Sequence, residues 1–159
     1  MPPANLTAAQ YASLAEFRYR LRVFLAFSEE QARAAGLNPQ QHQLLLAVKG
    51  FGATEPTVGE LAERLMLRHH STVELIDRLE RQGLVARKRK SSDKRVASVA
   101  ITARGSRVLR KLSLAHRDEL LESGPELAKA LSTLLSKRAA PRTRSRRSAR
   151  PGSRAARPS

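Results

Sequence analysis

The tightest constraint on the fold lies between Thr57 and Gly83, where two short amphipathic helical patterns are separated by only a few residues. T-V-G-E at Thr57 to Glu60 is a capping box, in which a threonine hydroxyl and a glutamate three positions on satisfy backbone N–H groups reciprocally. It opens a helix with Val58, Leu61, Ala62 and Leu65 on its inner side. A tight turn around Met66 to His69 follows. The next helix carries Val73, Ile76 and Leu79 at helical spacing and stops at Gly83, a residue suited to the left-handed end of a helix. Two helices joined so briefly make a helix-turn-helix. After Gly83 the period changes. Leu84-Val85-Ala86-Arg87 reads as a strand, Lys88 to Arg95 as a polar basic loop, and Val96 to Ile101 as a β-branched return strand, so a hairpin wing is appended.

Longer helical patterns flank this unit. Thr7 and Gln10 cap a first helix that runs to Gly36, with Leu14, Phe17, Leu21, Phe24, Leu25 and Ser28 recurring on one side. Asn38 and Pro39 start a second helix, with Gln41 at the reciprocal capping position and Leu44, Leu45, Ala47 and Val48 inward; Gly50, Gly52 and Pro56 end it. Thr102 caps a further helix bearing Val108, Leu109, Leu112, Ala115 and Leu120, which is expected to stop near Gly124 and Pro125. A last short helix would carry Leu127, Leu131, Leu134 and Leu135. The fold class is therefore mainly α with a small β-hairpin wing: a winged helix-turn-helix with terminal dimerisation helices. Residues 38–105 form the lobe, and 7–36 and 103–135 carry more apolar surface than a small winged domain needs. They are expected to cover one another in a two-fold homodimer.

Charge points to the class of partner. Thirty Lys and Arg against fourteen Asp and Glu give +16, which favours a polyanion. Nine of those thirty lie after Ser136 with no acid among them, leaving 21 bases against 14 acids, or +7, for residues 1–136. The segment 137–159 is predicted to be a disordered Arg-rich tail, serving either as a solubiliser or as a non-specific phosphate binder. The absence of cysteine removes disulfides, thiolate catalysis, Cys-based zinc sites and thiol redox sensing. No apolar run suits a membrane span and no secretory signal is visible, so a cytoplasmic, nucleoid-associated protein without a membrane partner is expected. H-E-x-x-H, G-x-S-x-G, P-loop and G-x-G-x-x-G motifs are missing, and neither enzyme activity nor a cofactor is expected.

Double-stranded DNA is the partner that the local patterns favour. The helix from Arg68 to Gln82 leaves Arg68, His69, His70, Ser71, Thr72, Glu74, Asp77, Arg78 and Arg81 facing outward. Its first turn combines short hydroxyl side chains, Ser71 and Thr72, with the free N–H groups of a helix start. Glu74 would repel phosphate unless it accepts from a cytosine amino group or pairs with Arg78 at i+4, and pairing is the simpler arrangement. The wing places Arg87, Lys88, Arg89, Lys90, Lys94 and Arg95 beside one acid, Asp93, which suits phosphate and minor-groove contact. Arg95 would enter the groove, with Asp93 holding the wing or a neighbouring guanidinium. A solvated helix face and a hairpin tip charged against aggregation are the blander alternatives; the adjacency of the two elements argues against both. His69 and His70 are adjacent and cannot converge on one ion, and His42 with His116 would need a carboxylate, so no metal site is assigned. Tyr11, Tyr19, Arg18, Arg22 and His42 more ordinarily serve core or surface roles than line a cavity, and no ligand site is assigned.

Residues 38 to 105 resemble the winged helix-turn-helix of the multiple-antibiotic-resistance regulator (MarR) family. The likeness rests on N-P-Q-Q-H-Q-L-L-L-A at 38–47, T-V-G-E-L-A-E-R-L at 57–65, R-H-H-S-T-V-E-L-I-D-R-L-E-R-Q-G-L-V at 68–85 and D-K-R-V-A-S-V-A-I-T-A-R-G at 93–105. The family's wing pattern is met by Asp93, Arg95, Ile101, Thr102 and Gly105. The resemblance implies a dimeric transcriptional repressor whose terminal helices form the interface. It also implies a palindromic operator, released when a small, often aromatic or anionic effector binds between dimer helices and lobe. Glu74 departs from the small residue often found there, and the Arg-rich arm departs from the usual compact finish. A nucleoid-coating architectural protein and an RNA-binding winged helix are the alternatives.

Overall fold

The computed structural model describes residues 6–90 and 93–135, with the backbone alone at 89, 90 and 93–96; the expected tail at 137–159 lies outside the described residues. Five helices and two strands follow in order: α1 (Ala8–Ala34), α2 (Pro39–Gly50), α3 (Val58–Leu65), α4 (His69–Arg81), β1 (Val85–Lys90), β2 (Asp93–Ile101) and α5 (Ala103–Leu135). Among them no helix is long and apolar enough to cross a membrane.

Local chemistry fixes the starts of the first three helices. In each, the backbone N–H of the third helical residue donates to the cap side chain, and that residue's own side chain accepts from the cap N–H: Gln10 with Thr7, Gln41 with Asn38, and Glu60 with Thr57. Met66 ends α3 in the left-handed region, at φ 53°, and Gly83 closes α4 at φ 69°.

The lobe's core collects one face of each element. Leu44, Leu45, Leu61, Ile76, Leu79, Val85 and Val99 are fully buried there. The two strands pair antiparallel from Val85 opposite Ile101 to Arg89 opposite Ala97, and after a register shift Lys90 pairs with Asp93. The ladder thus takes in much of the segment expected as loop, leaving only 91 and 92 between strands. Charged residues do not interrupt it, because a hairpin projecting into solvent needs backbone pairing rather than an apolar face. At its base β2 is flanked on the other edge by the chain entering α3, where the Val99 N–H donates to the Pro56 carbonyl at 2.8 Å.

The junction of wing and α5 explains I-T-A-R-G. The Thr102 hydroxyl donates to the Gly83 carbonyl at 2.7 Å and accepts from the Gly105 N–H at 3.0 Å, tying the end of α4 to the start of α5. Gly105 lies so close to this backbone that a Cβ would stand 2.0 Å from the Leu84 carbonyl oxygen.

Helix α5 corrects the expectation of two terminal helices. It runs unbroken through Gly124 and Pro125. A proline inside a helix deletes one N–H and crowds the preceding turn, at a cost of about 3 kcal/mol. Anchoring just beyond it outweighs that local signal: Glu126 pairs with Arg20 of α1 and Ala130 is buried. Helix α1 packs chiefly on α5, yet of its 27 residues only Ala32 is buried.

Candidate nucleic-acid interface

Helix α4 begins at an open end. Its N-cap, Arg68, makes no side-chain cap hydrogen bond, so the N–H groups of the first turn have no intrahelical acceptor. Arg68, His69 and His70 are exposed around that turn, with Ser71 partly so. Thr72 is not with them, contrary to the sequence expectation. It is fully buried, and its hydroxyl donates to the Arg68 carbonyl at 3.1 Å. The inward face of α4 is Thr72, Leu75, Ile76 and Leu79, so Leu75 takes the core place expected of Val73, which is only partly buried. Glu74 and Arg78 are both exposed, and among the described residues no ion pair joins them; the expected i+4 pair is not formed.

Two wing cations have internal partners. Arg87 reaches back to α4, donating to Asp77 Oδ1 at 2.5 Å and to Glu80 Oε2 at 2.6 Å, while its backbone N–H donates to Glu80 Oε1 at 3.0 Å. Burial lowers the guanidinium's pKa, but hydrogen bonds to Asp77 and Glu80 outweigh it and the net shift is upward. In this arrangement Arg87 fastens the root of the wing to the outer side of α4. Lys88 donates to Glu55 Oε1 at 2.5 Å, and Ser98 on β2 donates to Glu55 Oε2 at 3.0 Å. Lys88 is thus held at the wing's base, although its side chain remains exposed. The side chains of Arg89, Lys90, Asp93, Lys94 and Arg95 lie outside the described residues. Glu55, and Asp77 and Glu80 as partners of Arg87, were missed from sequence. Glu55 lies 33 and 43 positions from its partners, beyond the reach of any local pattern.

A second feature lies where the lobe meets the long helices. Phe24, His42, Leu46, Ser113, His116, Arg117, Leu120 and Leu121 line a cavity of about 410 Å³ between α1, α2 and α5. The His42 and His116 rings are 4.8 Å apart, centroid to centroid. His116 Nδ1 is 2.7 Å from the Leu112 carbonyl and Nε2 is 2.7 Å from Ser28 Oγ. A neutral ring protonated at Nδ1 donates to the first and accepts from the second. No third metal-ligating side chain completes a site with the two histidines among the described residues.

Residues 35–96 match the model of the MarR family. The winged lobe is similar to that of the MarR family. The HTH-type transcriptional repressor MdtR of Bacillus subtilis is 32% identical over 76 residues, 48% of each chain, so the match spans about half the length of that relative. Two solved structures, the first of a MarR family transcriptional regulator, extend the likeness beyond the lobe. AbsC of Streptomyces coelicolor superposes with a TM-score of 0.67 at 20% identity, covering 82% of this chain and 89% of its own. MepR of Staphylococcus aureus in complex with DNA gives a TM-score of 0.58 at 20% identity, covering 74% and 97%. At that identity both establish the fold alone, winged lobe and long helices together.

Proposed function

We propose that this chain is a sequence-specific DNA-binding transcriptional regulator, a repressor acting as a homodimer on a palindromic operator. The observation that carries the reading is the open first turn of α4, with exposed Arg68, His69 and His70 and part-exposed Ser71, set beside a basic wing in a lobe similar to that of the MarR family. Free N–H groups and short polar side chains at the start of a recognition helix suit the major groove and its flanking phosphates. Arg78, exposed and unpaired within α4, extends that face, and Arg89, Lys90, Lys94 and Arg95 supply the wing's positive charge. The relative MdtR is a repressor, and MepR shares the fold in a complex with DNA.

Dimerisation is supported by apolar side chains left outward on α1 and α5, including Leu14, Leu25, Leu121 and Leu135. An effector would fit the cavity between those helices and the lobe, where an apolar wall meets a few polar groups. Titrating the protein against its own promoter, a shuffled duplex and a structured RNA at one salt concentration tests the reading. Promoter preference of at least about a thousandfold over shuffled DNA supports it. Equal affinity for both duplexes would mark an architectural protein, and preference for RNA a different partner class.

A further inference from the structure

The histidine pair sits at a mechanical joint. His42 belongs to α2, the first helix of the lobe, whereas His116 belongs to α5 and is held through Ser28 to α1. His42 is only 5% exposed, and its ring makes no hydrogen bond to another described residue. Phe24 and Phe27 of α1 set their ring edges against His116, with centroids 5.9 and 5.6 Å away. We propose that this pair is an acid-sensitive hinge: protonation of His42 beside His116 opens the joint between α2 and the α1–α5 scaffold and loosens the protein's hold on DNA.

The surroundings give the sign. From α1 the pair is faced by Phe24, Phe27 and Ser28, none of which carries charge in this pH range. From α5 come His116, Ser113 and Arg117, whose guanidinium is engaged by Asp118 at 3.0 Å. Leu46 and Leu120 complete the wall. Within this setting His116 is the charge-bearing group that acts on His42, and among the described residues no carboxylate offsets it. Burial, and then repulsion from His116, lower the His42 pKa from its ordinary 6.5. The folded joint therefore favours the neutral ring while the unfolded chain takes up a proton from about pH 6.5 downward. Stability contributed by the joint is fully present above that pH and is lost progressively on acidification.

Acidification also acts on duplex affinity away from the joint, and that effect is common to the unmutated protein and to variants of His42. The two effects are separable by mutation. Urea unfolding of the full chain is compared between about pH 7.5 and about pH 5.5 for the unmutated protein, His42→Gln and His42→Leu, and affinity for a labelled duplex of its own promoter is followed over the same range at fixed salt. The unmutated protein is expected to lose stability on acidification severalfold more, as a folding equilibrium constant, than either variant. Its duplex affinity should fall severalfold more than that of either variant. Amide exchange in α2 of the unmutated protein should accelerate over the same interval, a readout that needs no variant to fold. Parallel unfolding profiles, with unchanged exchange in α2, would overturn the hinge. Divergent unfolding with parallel duplex affinities would overturn its coupling to DNA. That coupling rests on the function proposed above, while the unfolding and exchange arms do not; failure to bind at about pH 7.5 contradicts DNA binding and leaves them to decide the hinge.

Discussion

Gly105 and Met66 are single positions at which the backbone leaves little choice. At Gly105 any side chain meets the Leu84 carbonyl, so Gly105→Ala must push α5 away from the root of the wing. The expected cost is at least about 1 to 3 kcal/mol, read from the urea midpoint at unchanged slope. Met66 presents the converse case: it adopts φ 53° while its side chain is 92% exposed. The left-handed conformation costs a non-glycine residue about 1 to 2 kcal/mol, part of which glycine returns in the greater freedom of its unfolded chain. Met66→Gly is expected to stabilise the protein by about 0.5 to 1 kcal/mol, and a lower midpoint in the same assay would show that Met66 contributes packing its exposure does not reveal. What the sequence makes legible at this scale is reciprocal and short-range. Thr7, Asn38 and Thr57 sit three positions from their partners, and all three capping boxes form as read. Thr72 misleads because a hydroxyl near a helix start serves equally well bound back to the Arg68 carbonyl, and burial of the α4 face selects that use.

At the scale of elements, local signals succeed until tertiary contacts oppose them. The helix-turn-helix and hairpin are readable because period and turn residues change together at Gly83. Helix α5 is not, because Gly124-Pro125 is a strong local stop overridden by anchoring at Ala130 and Glu126. Restoring the missing N–H tests that balance: Pro125→Ala is expected to raise stability by up to about 3 kcal/mol without changing helix content. An unchanged unfolding midpoint would mean that neighbouring turns already compensate for the proline. The wing is also longer than its sequence suggests, and its attachment escapes local reading because Arg87 meets Asp77 and Glu80 across the end of α4. Arg87→Ala removes the shared cation and leaves two carboxylates facing outward beside the proposed interface. Amide exchange along β1 and β2 should quicken, and duplex affinity should fall through a looser wing and added repulsion. A variant with slow hairpin exchange and undiminished affinity would show Arg87 to be dispensable to the joint.

The whole molecule joins a small packed lobe to two long helices that a single chain does not cover. Leu121 and Leu135 are 70% and 73% exposed, and the side chains that bring α1 and α5 together leave most of α1 outside the core. This surplus is visible in the apolar stripes of the sequence, whereas the joint at His42 and His116 is not, because the two residues stand far apart in the chain and only the packing of α2 on α5 brings them together. Charge acts at the same scale. Deleting 137–159 removes nine of the thirty basic residues and is expected to weaken binding to every duplex alike, flattening the logarithmic salt dependence by about 0.9 for each phosphate no longer neutralised. An unchanged slope would make the segment a bystander. The central proposition is that two copies of α4 enter successive major grooves from one frame. Hydroxyl-radical footprinting on the protein's own promoter measures this directly: two symmetric protected patches are expected, with centres about 34 to 36 Å apart along one face of the duplex. A single patch, or even protection along the whole fragment, would contradict it.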